Sequence, residues 1–342
     1  MKTIRLNFTL LIVAFLTVNL NAQYIQFSQY YASPLNLAPS FAGSVDGSRL
    51  AFNYRDQWAN ISGVFRTYSA AYDLNVPKIH SGFGVLLARD EAGDGNLART
   101  DFGVSYSWYG LLNKTYQLYF RPGVHFKLTQ RSIDFQALIF GDQITPSGIT
   151  SVTIQPPPQD VKKTYIDATA SGLLYNPDFW VGISVDHLFK PVDAFYDPNY
   201  RVPLKYSVFA GYKFKLGQRG RHYGRSSSGK IEDWFFVSSY FRMQSLSMQM
   251  DIGGYWNHLP FTLGIWLRGL PYLNIVKTPN IDAVVFLVGY RIYNFDVGYS
   301  YDMTVSPLGI KTGGSHEISI VYRFNATLKS KKREGPIPCP NL

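Results

Sequence analysis

From Asp282 to Phe324, large apolar residues alternate with small or charged ones. Phe295, Val297, Tyr299 and Tyr301 take every second position, with Asp296, Gly298, Ser300 and Asp302 between them. His316, Ile318, Ile320, Tyr322 and Phe324 repeat the pattern against Glu317, Ser319, Val321 and Arg323, and Val284, Phe286, Val288, Tyr290 and Ile292 form a third row. A period of two is the signature of a β-strand with two unlike faces. Only Tyr293 and Asn294 separate the third row from the first, so a two-residue hairpin is predicted, with Asn accepting the left-handed angles of the turn. Counting outward from that turn sets Ile292 opposite Phe295, Arg291 opposite Asp296, Tyr290 opposite Val297 and Val288 opposite Tyr299. Apolar residues then meet on one face, and a cation meets an anion on the other.

The same alternation predicts strands over 48–58, 63–74, 80–89, 98–111, 116–128, 164–175, 179–189, 204–216, 232–243, 246–257, 261–270, 282–292, 295–302 and 315–324. That is about fourteen, within a range of twelve to sixteen. Ten residues at about 3.3 Å each, tilted by about 40°, give roughly 25 Å, the height of an apolar membrane band. Residues 23–47, with Pro34 and Pro39 and no alternation, read as an N-terminal arm. The run from Thr129 to Lys163, with Pro156 to Pro158, is too irregular for lipid.

Composition narrows the class. The chain of 342 residues is 16% aromatic, with 25 Tyr and 24 Phe, and only 16% charged. Its mean hydropathy of −0.08 is too polar for a bundle of membrane helices, whereas lipid-facing strands are apolar on one side only. Lys2 and Arg5, the apolar run Leu10 to Leu16, and Ala22 before Gln23 read as a secretory signal peptide over residues 1–22. No other segment has the ~18 apolar residues of a spanning helix, and the lone Cys339 leaves no intrachain disulfide. These features together predict an all-β chain folded as a transmembrane antiparallel barrel over 48–326 in a Gram-negative outer membrane, ending in a basic periplasmic tail over 327–342.

Barrels of this kind keep short turns inside and long loops outside. The turns at Asn113, Asn176, His258 and Asn294 then fall in the periplasm, and the loops at 91–97, 129–163, 190–203, 271–281 and 303–314 fall outside. Gly217 to Ile231 breaks the rule as a long periplasmic loop. The six tryptophans, Trp58, Trp108, Trp180, Trp234, Trp256 and Trp266, fall mostly near strand ends, as for indoles at the membrane interface.

Several residues invite a chemical reading. Ser315 and His316 are adjacent in a strand, so they point to opposite faces and cannot act as nucleophile and base; a lipid hydrolase is the weakest alternative. Asp90, Glu91, Asp94, Gly95 and Asn96 lack calcium-loop spacing, and the six His residues show no paired spacing, so no metal, cofactor or enzymatic activity is expected. Asn53, Arg55 and Gln57 share a face predicted to line the lumen and to contact the arm, and Arg291 with Asp296 is expected there too. The net charge of +10 is concentrated in two places. Arg219, Arg221, Arg225 and Lys230 form one basic cluster, and Lys329, Lys331, Lys332 and Arg333 the other. Both are candidate contacts for an acidic periplasmic partner, and nucleic acid is not expected for an exported barrel. Lumen-facing Arg121, Lys127, Arg291 and Arg323 keep open the alternative of a porin or solute transporter, which the arm would have to leave unblocked.

Four motifs resemble the PorP/SprF family of type IX secretion membrane proteins. They are Phe27-Ser28-Gln29-Tyr30-Tyr31 with Pro34, Pro39, Ala42 and Gly43; Asn53-Tyr54-Arg55 with Gln57, Trp58, Thr67, Tyr68 and Asp73; Tyr301-Asp302 with Ser306 and Gly313 to Ile318; and Cys339-Pro340. The chain departs from the family pattern at Tyr24-Ile25 and at Ala38-Pro39-Ser40. The resemblance implies an outer-membrane accessory that assists secretion or surface attachment of large adhesins through their C-terminal domain, in some relatives gliding adhesins. It also implies contact with type IX components in the periplasm or associated with peptidoglycan.

Overall fold

Alternation along each segment becomes a continuous hydrogen-bonded ladder. The computed structural model describes residues 25–61, 63–146, 148–150, 153–158, 160–219, 231–270, 280–307 and 309–324. The first seven long strands are β1 (Ser48–Gln57), β2 (Val64–Val76), β3 (Ser81–Gly93), β4 (Leu97–Trp108), β5 (Leu118–Ser132), β6 (Lys162–Tyr175) and β7 (Phe179–Asp186). The other seven are β8 (Lys205–Arg219), β9 (Ile231–Gln244), β10 (Ser247–His258), β11 (Phe261–Leu270), β12 (Asn280–Ile292), β13 (Phe295–Thr304) and β14 (Ser315–Phe324). A four-residue strand, Gly110–Asn113, hangs on the edge of β5. Every long strand pairs antiparallel with its sequence neighbours, and β1 pairs with β14 from Ser48–Phe324 to Gln57–Ser315. The sheet is thus a closed fourteen-stranded barrel with no free edge, as lipid requires of a spanning sheet.

The two faces sort as the alternation predicts. On β4, Phe102, Val104, Tyr106 and Trp108 are exposed while Ser105 and Ser107 are buried, so the outer surface is a band of Phe, Tyr, Ile, Leu and Val turned towards lipid. Across the Tyr293–Asn294 turn, Arg291 pairs with Asp296, Tyr290 with Val297 and Val288 with Tyr299. One detail differs: the left-handed angle falls on Tyr293 (φ 53°) rather than on Asn294. The Tyr293 ring stands clear of the barrel at the tip of the turn, so this backbone choice disturbs no packing.

The ladder also runs further than the sequence pattern suggests. β5 continues to Ser132 and β3 to Gly93. The expected loop from Gly217 is partly strand: beyond a bulge between Lys215 and Gly217, pairing resumes and carries through to Arg219 opposite Ile231. A bulge absorbs one extra residue and breaks the period-two count there. At the other end of the barrel, the segment between β5 and β6 contains two 3-10 turns, Phe135–Ala137 and Gly141–Gln143, and a ribbon of Ile144–Thr145 with Gly148–Ile149.

Residues 25–47 do not join the barrel wall. They fold back into the lumen as α1 (Pro34–Leu37) and a 3-10 turn, Pro39–Phe41. Pro34 and Pro39 each stand in the first turn of their element, where the missing N–H has no partner to lose.

Candidate functional site: an arm seated in the lumen

The arm enters beside Ser48, at the short-turn end, and climbs towards the long-loop end. Nearly all of its side chains from Phe27 to Ala42 are buried. Three sets of contacts hold it.

Nearest the long loops, Ser28 and Gln29 meet four charged side chains of the wall. The backbone amides of Ser28 and Gln29 both donate to the Glu317 carboxylate, at 2.6 and 3.0 Å. The Ser28 hydroxyl donates to Asp302 at 2.7 Å and accepts from Arg55 at 2.7 Å and Arg268 at 2.9 Å. Arg55 also binds Asp302 at 2.7 Å and Glu317 at 3.3 Å, and Arg268 binds Asp302 at 2.6 Å. Arg268 also meets Asp251 at 3.6 Å, which pairs with Arg242 at 3.3 Å, so three guanidiniums face three carboxylates, and the arm supplies bonds that a wall cluster alone would lack. The Gln29 side chain donates to Ser300 and to the Glu317 carbonyl and accepts from Ser319 at 2.6 Å.

Lower down, the Gly43 amide donates to Asp73 at 2.8 Å, and Arg49 grips the same carboxylate with two N–H groups at 2.9 and 3.0 Å. The Ala42 carbonyl accepts from Arg121 and from Ser107. Gly43 has φ +62°, and a Cβ there would stand 2.5 Å from the Leu74 carbonyl oxygen, so both the turn and the close approach require glycine.

Between these polar contacts lies an aromatic bed. Tyr30 stands edge-on to Trp266, with ring centres 4.9 Å apart; Tyr31 does the same with Tyr255 at 4.9 Å, and Phe41 packs on Trp180 and Phe209 at 6.0 and 5.6 Å. This corrects the interface reading for half of the tryptophans. Trp180 and Trp266 point inward and are buried, and Trp234 lies against the same core with Lys213 Nζ 3.0 Å above its ring. The lumen is therefore only partly wet. The arm brings an apolar environment inside the barrel, so an indole has a second place to go besides the membrane border.

Arg55 and Asn53 face the lumen and are buried; Arg55 touches the arm, whereas Asn53 Nδ2 has no hydrogen-bond partner among the described residues. Gln57 sits half-buried at the end of β1, opposite Ser315. Arg291 and Arg323 both bind Asp296, at 2.6 and 2.5 Å, beneath the Tyr293 turn, where Arg323 stands opposite Arg49 in the β1–β14 register. Ser315 is buried inside while His316 bonds the Tyr299 hydroxyl outside at 2.7 Å. Arg219 ends β8, and Arg221, Arg225, Lys230, Lys331, Lys332 and Arg333 lie outside the described residues, as does the signal-peptide segment. Arg268 and Arg49 were not singled out by pattern. The available signal was parity: Arg268 shares its face with Trp266, between outward Ile265 and Leu267, and an inward cation on such a strand calls for inward anions.

The family described as type IX secretion system membrane protein PorP/SprF matches residues 19–322. No curated protein matches the sequence. Among solved structures, the CymD monoaromatic hydrocarbon channel is similar at 11% identity, covering 90% of this chain and 95% of its own, with a TM-score of 0.48. A Rhodopseudomonas blastica porin mutant is similar at 11% identity, covering 81% and 98%, with a TM-score of 0.34.

Proposed function

Since this chain belongs to the PorP/SprF family of type IX secretion system membrane proteins, we propose that it is a sealed, non-enzymatic outer-membrane accessory that holds partners at its two ends and conducts nothing through its middle. The observation that carries this reading is the occupied lumen: Ser28 and Gln29 are bonded to Arg55, Arg268, Asp302 and Glu317, deep inside the wall. A diffusion channel keeps that space for solutes, so the porin reading loses support.

The barrel sits in the outer membrane with its short turns in the periplasm, after removal of residues 1–22. Its outer loops engage the C-terminal domain of a large secreted adhesin, in a secretion or gliding role, and its periplasmic end meets a type IX component associated with peptidoglycan. Arg219, Arg221, Arg225, Lys230, Lys331, Lys332 and Arg333 supply the positive charge for an acidic periplasmic partner. The test is deletion of the gene followed by a census of surface proteins, with affinity capture from the parent strain. Loss of one or a few large adhesins, and recovery of an adhesin C-terminal domain or a type IX component on the barrel, support the reading. An unchanged surface and capture of neither contradict it.

A further inference from the structure

The lipid-facing surface carries one feature that the accessory role leaves unused. Across β14, β1, β2, β3 and β4 the register aligns Ile320, Phe52, Ala70, Leu87 and Phe102 in one outward row. Every member is large except Ala70. The missing side chain opens a groove of about 330 Å³ over Ala70, walled by Phe52, Tyr54, Tyr68, Leu87, Ile318 and Ile320. One step towards the long-loop end, the outward row becomes Tyr54, Tyr68, Arg89 and Thr100. This change from aliphatic to aromatic and then charged is the border between acyl chains and headgroups.

Arg89 closes that end of the groove. Its guanidinium is half-exposed and bonds Glu91 at 2.7 Å; beside it, Arg66 is equally exposed, 3.7 Å from Asp56. We propose that this groove binds one acyl chain of a phosphorylated glycolipid of the outer leaflet, with the lipid phosphate on Arg89 and Arg66. A guanidinium fork matches phosphate oxygens, the chain fills the apolar trough, and Glu91 and Asp56 accept from sugar hydroxyls or share a bridging divalent cation. The outer-leaflet assignment rests on the orientation proposed above.

Native mass spectrometry of the purified full chain after detergent exchange, with lipid A, dephosphorylated lipid A or phosphatidylethanolamine added, tests this. The wild type should retain one lipid A. Ala70→Trp and the milder Ala70→Leu, which fill the trough, should lower retention at least tenfold, and Arg89→Gln severalfold, to the level of the dephosphorylated lipid. Heat-modifiable mobility on gels checks that each variant is folded. Equal retention by wild type and Ala70→Leu overturns the proposal, as does equal retention of phosphatidylethanolamine. A polypeptide that occupies the groove and is lost on Ala70→Leu also overturns it, assigning the trough to a protein neighbour. Residue 70 faces away from the arm, so failure here leaves the sealed-accessory reading untouched.

Discussion

The polar latch and the aromatic bed hold the same arm by opposite physics. At the latch, Ser28 and Gln29 complete a buried, charge-balanced set with Arg55, Arg268, Asp302 and Glu317. Taking these charges out of water costs nearly what their attraction returns, so such a cluster contributes little net stability while penalising any other arrangement. In the bed, Tyr30, Tyr31 and Phe41 meet Trp266, Tyr255, Trp180 and Phe209. Those contacts are worth their buried area plus ring-ring terms, and they tolerate small shifts. The bed thus supplies most of the binding energy, and the latch fixes where the arm stops.

Variants can break or sharpen this contrast, measured by equilibrium unfolding in lipid vesicles with tryptophan fluorescence as the readout. Arg55→Ala should have the largest effect, about 3–5 kcal/mol, because the buried Asp302 and Glu317 both lose a guanidinium partner. Combining Arg55→Met with Glu317→Gln removes one charge of each sign and should recover part of that loss; no recovery would mean that shape rather than charge balance sets the latch. Leu35→Ala in the arm, buried against β3 beside Gly84, should cost roughly 2–4 kcal/mol, with Trp180 and Trp266 reporting a wetter environment. Ser28→Ala comes next at about 1–3 kcal/mol, since both arginines retain Asp302. Arg66→Ala, at the exposed pair with Asp56 on the outside, should stay below about 1 kcal/mol. A change there as large as at Arg55 would show that burial does not separate the two kinds of ion pair.

Much of the wall was legible because lipid imposes one rule on every strand. Phe295, Val297, Tyr299 and Tyr301 declare the outer face by period alone, and a two-residue turn fixes the Arg291–Asp296 register by counting. Pro34 and Pro39 marked 23–47 as something other than a strand. Inside the barrel the rule weakens. Alternation shows that Trp180 and Trp266 lie on the inward face, but not that an arm would meet them there, so their positions near strand ends suggested the membrane border instead. Ser28 and Gln29 were visible as part of a motif, yet their partners come from strands up to 289 positions away, and no local pattern encodes that distance. The bulge at Lys215 and Gly217 hid the end of β8 for the converse reason, since one extra residue is enough to erase a period of two.

The seal itself is open to direct measurement. In a planar lipid bilayer, the intact chain should show no steady conductance, while a chain lacking residues 25–46 but still folded by its heat-modifiable mobility should open large, stable channels. Steady openings from the intact chain, of the same size as those from the arm-deleted form, would contradict an arm that fills the lumen.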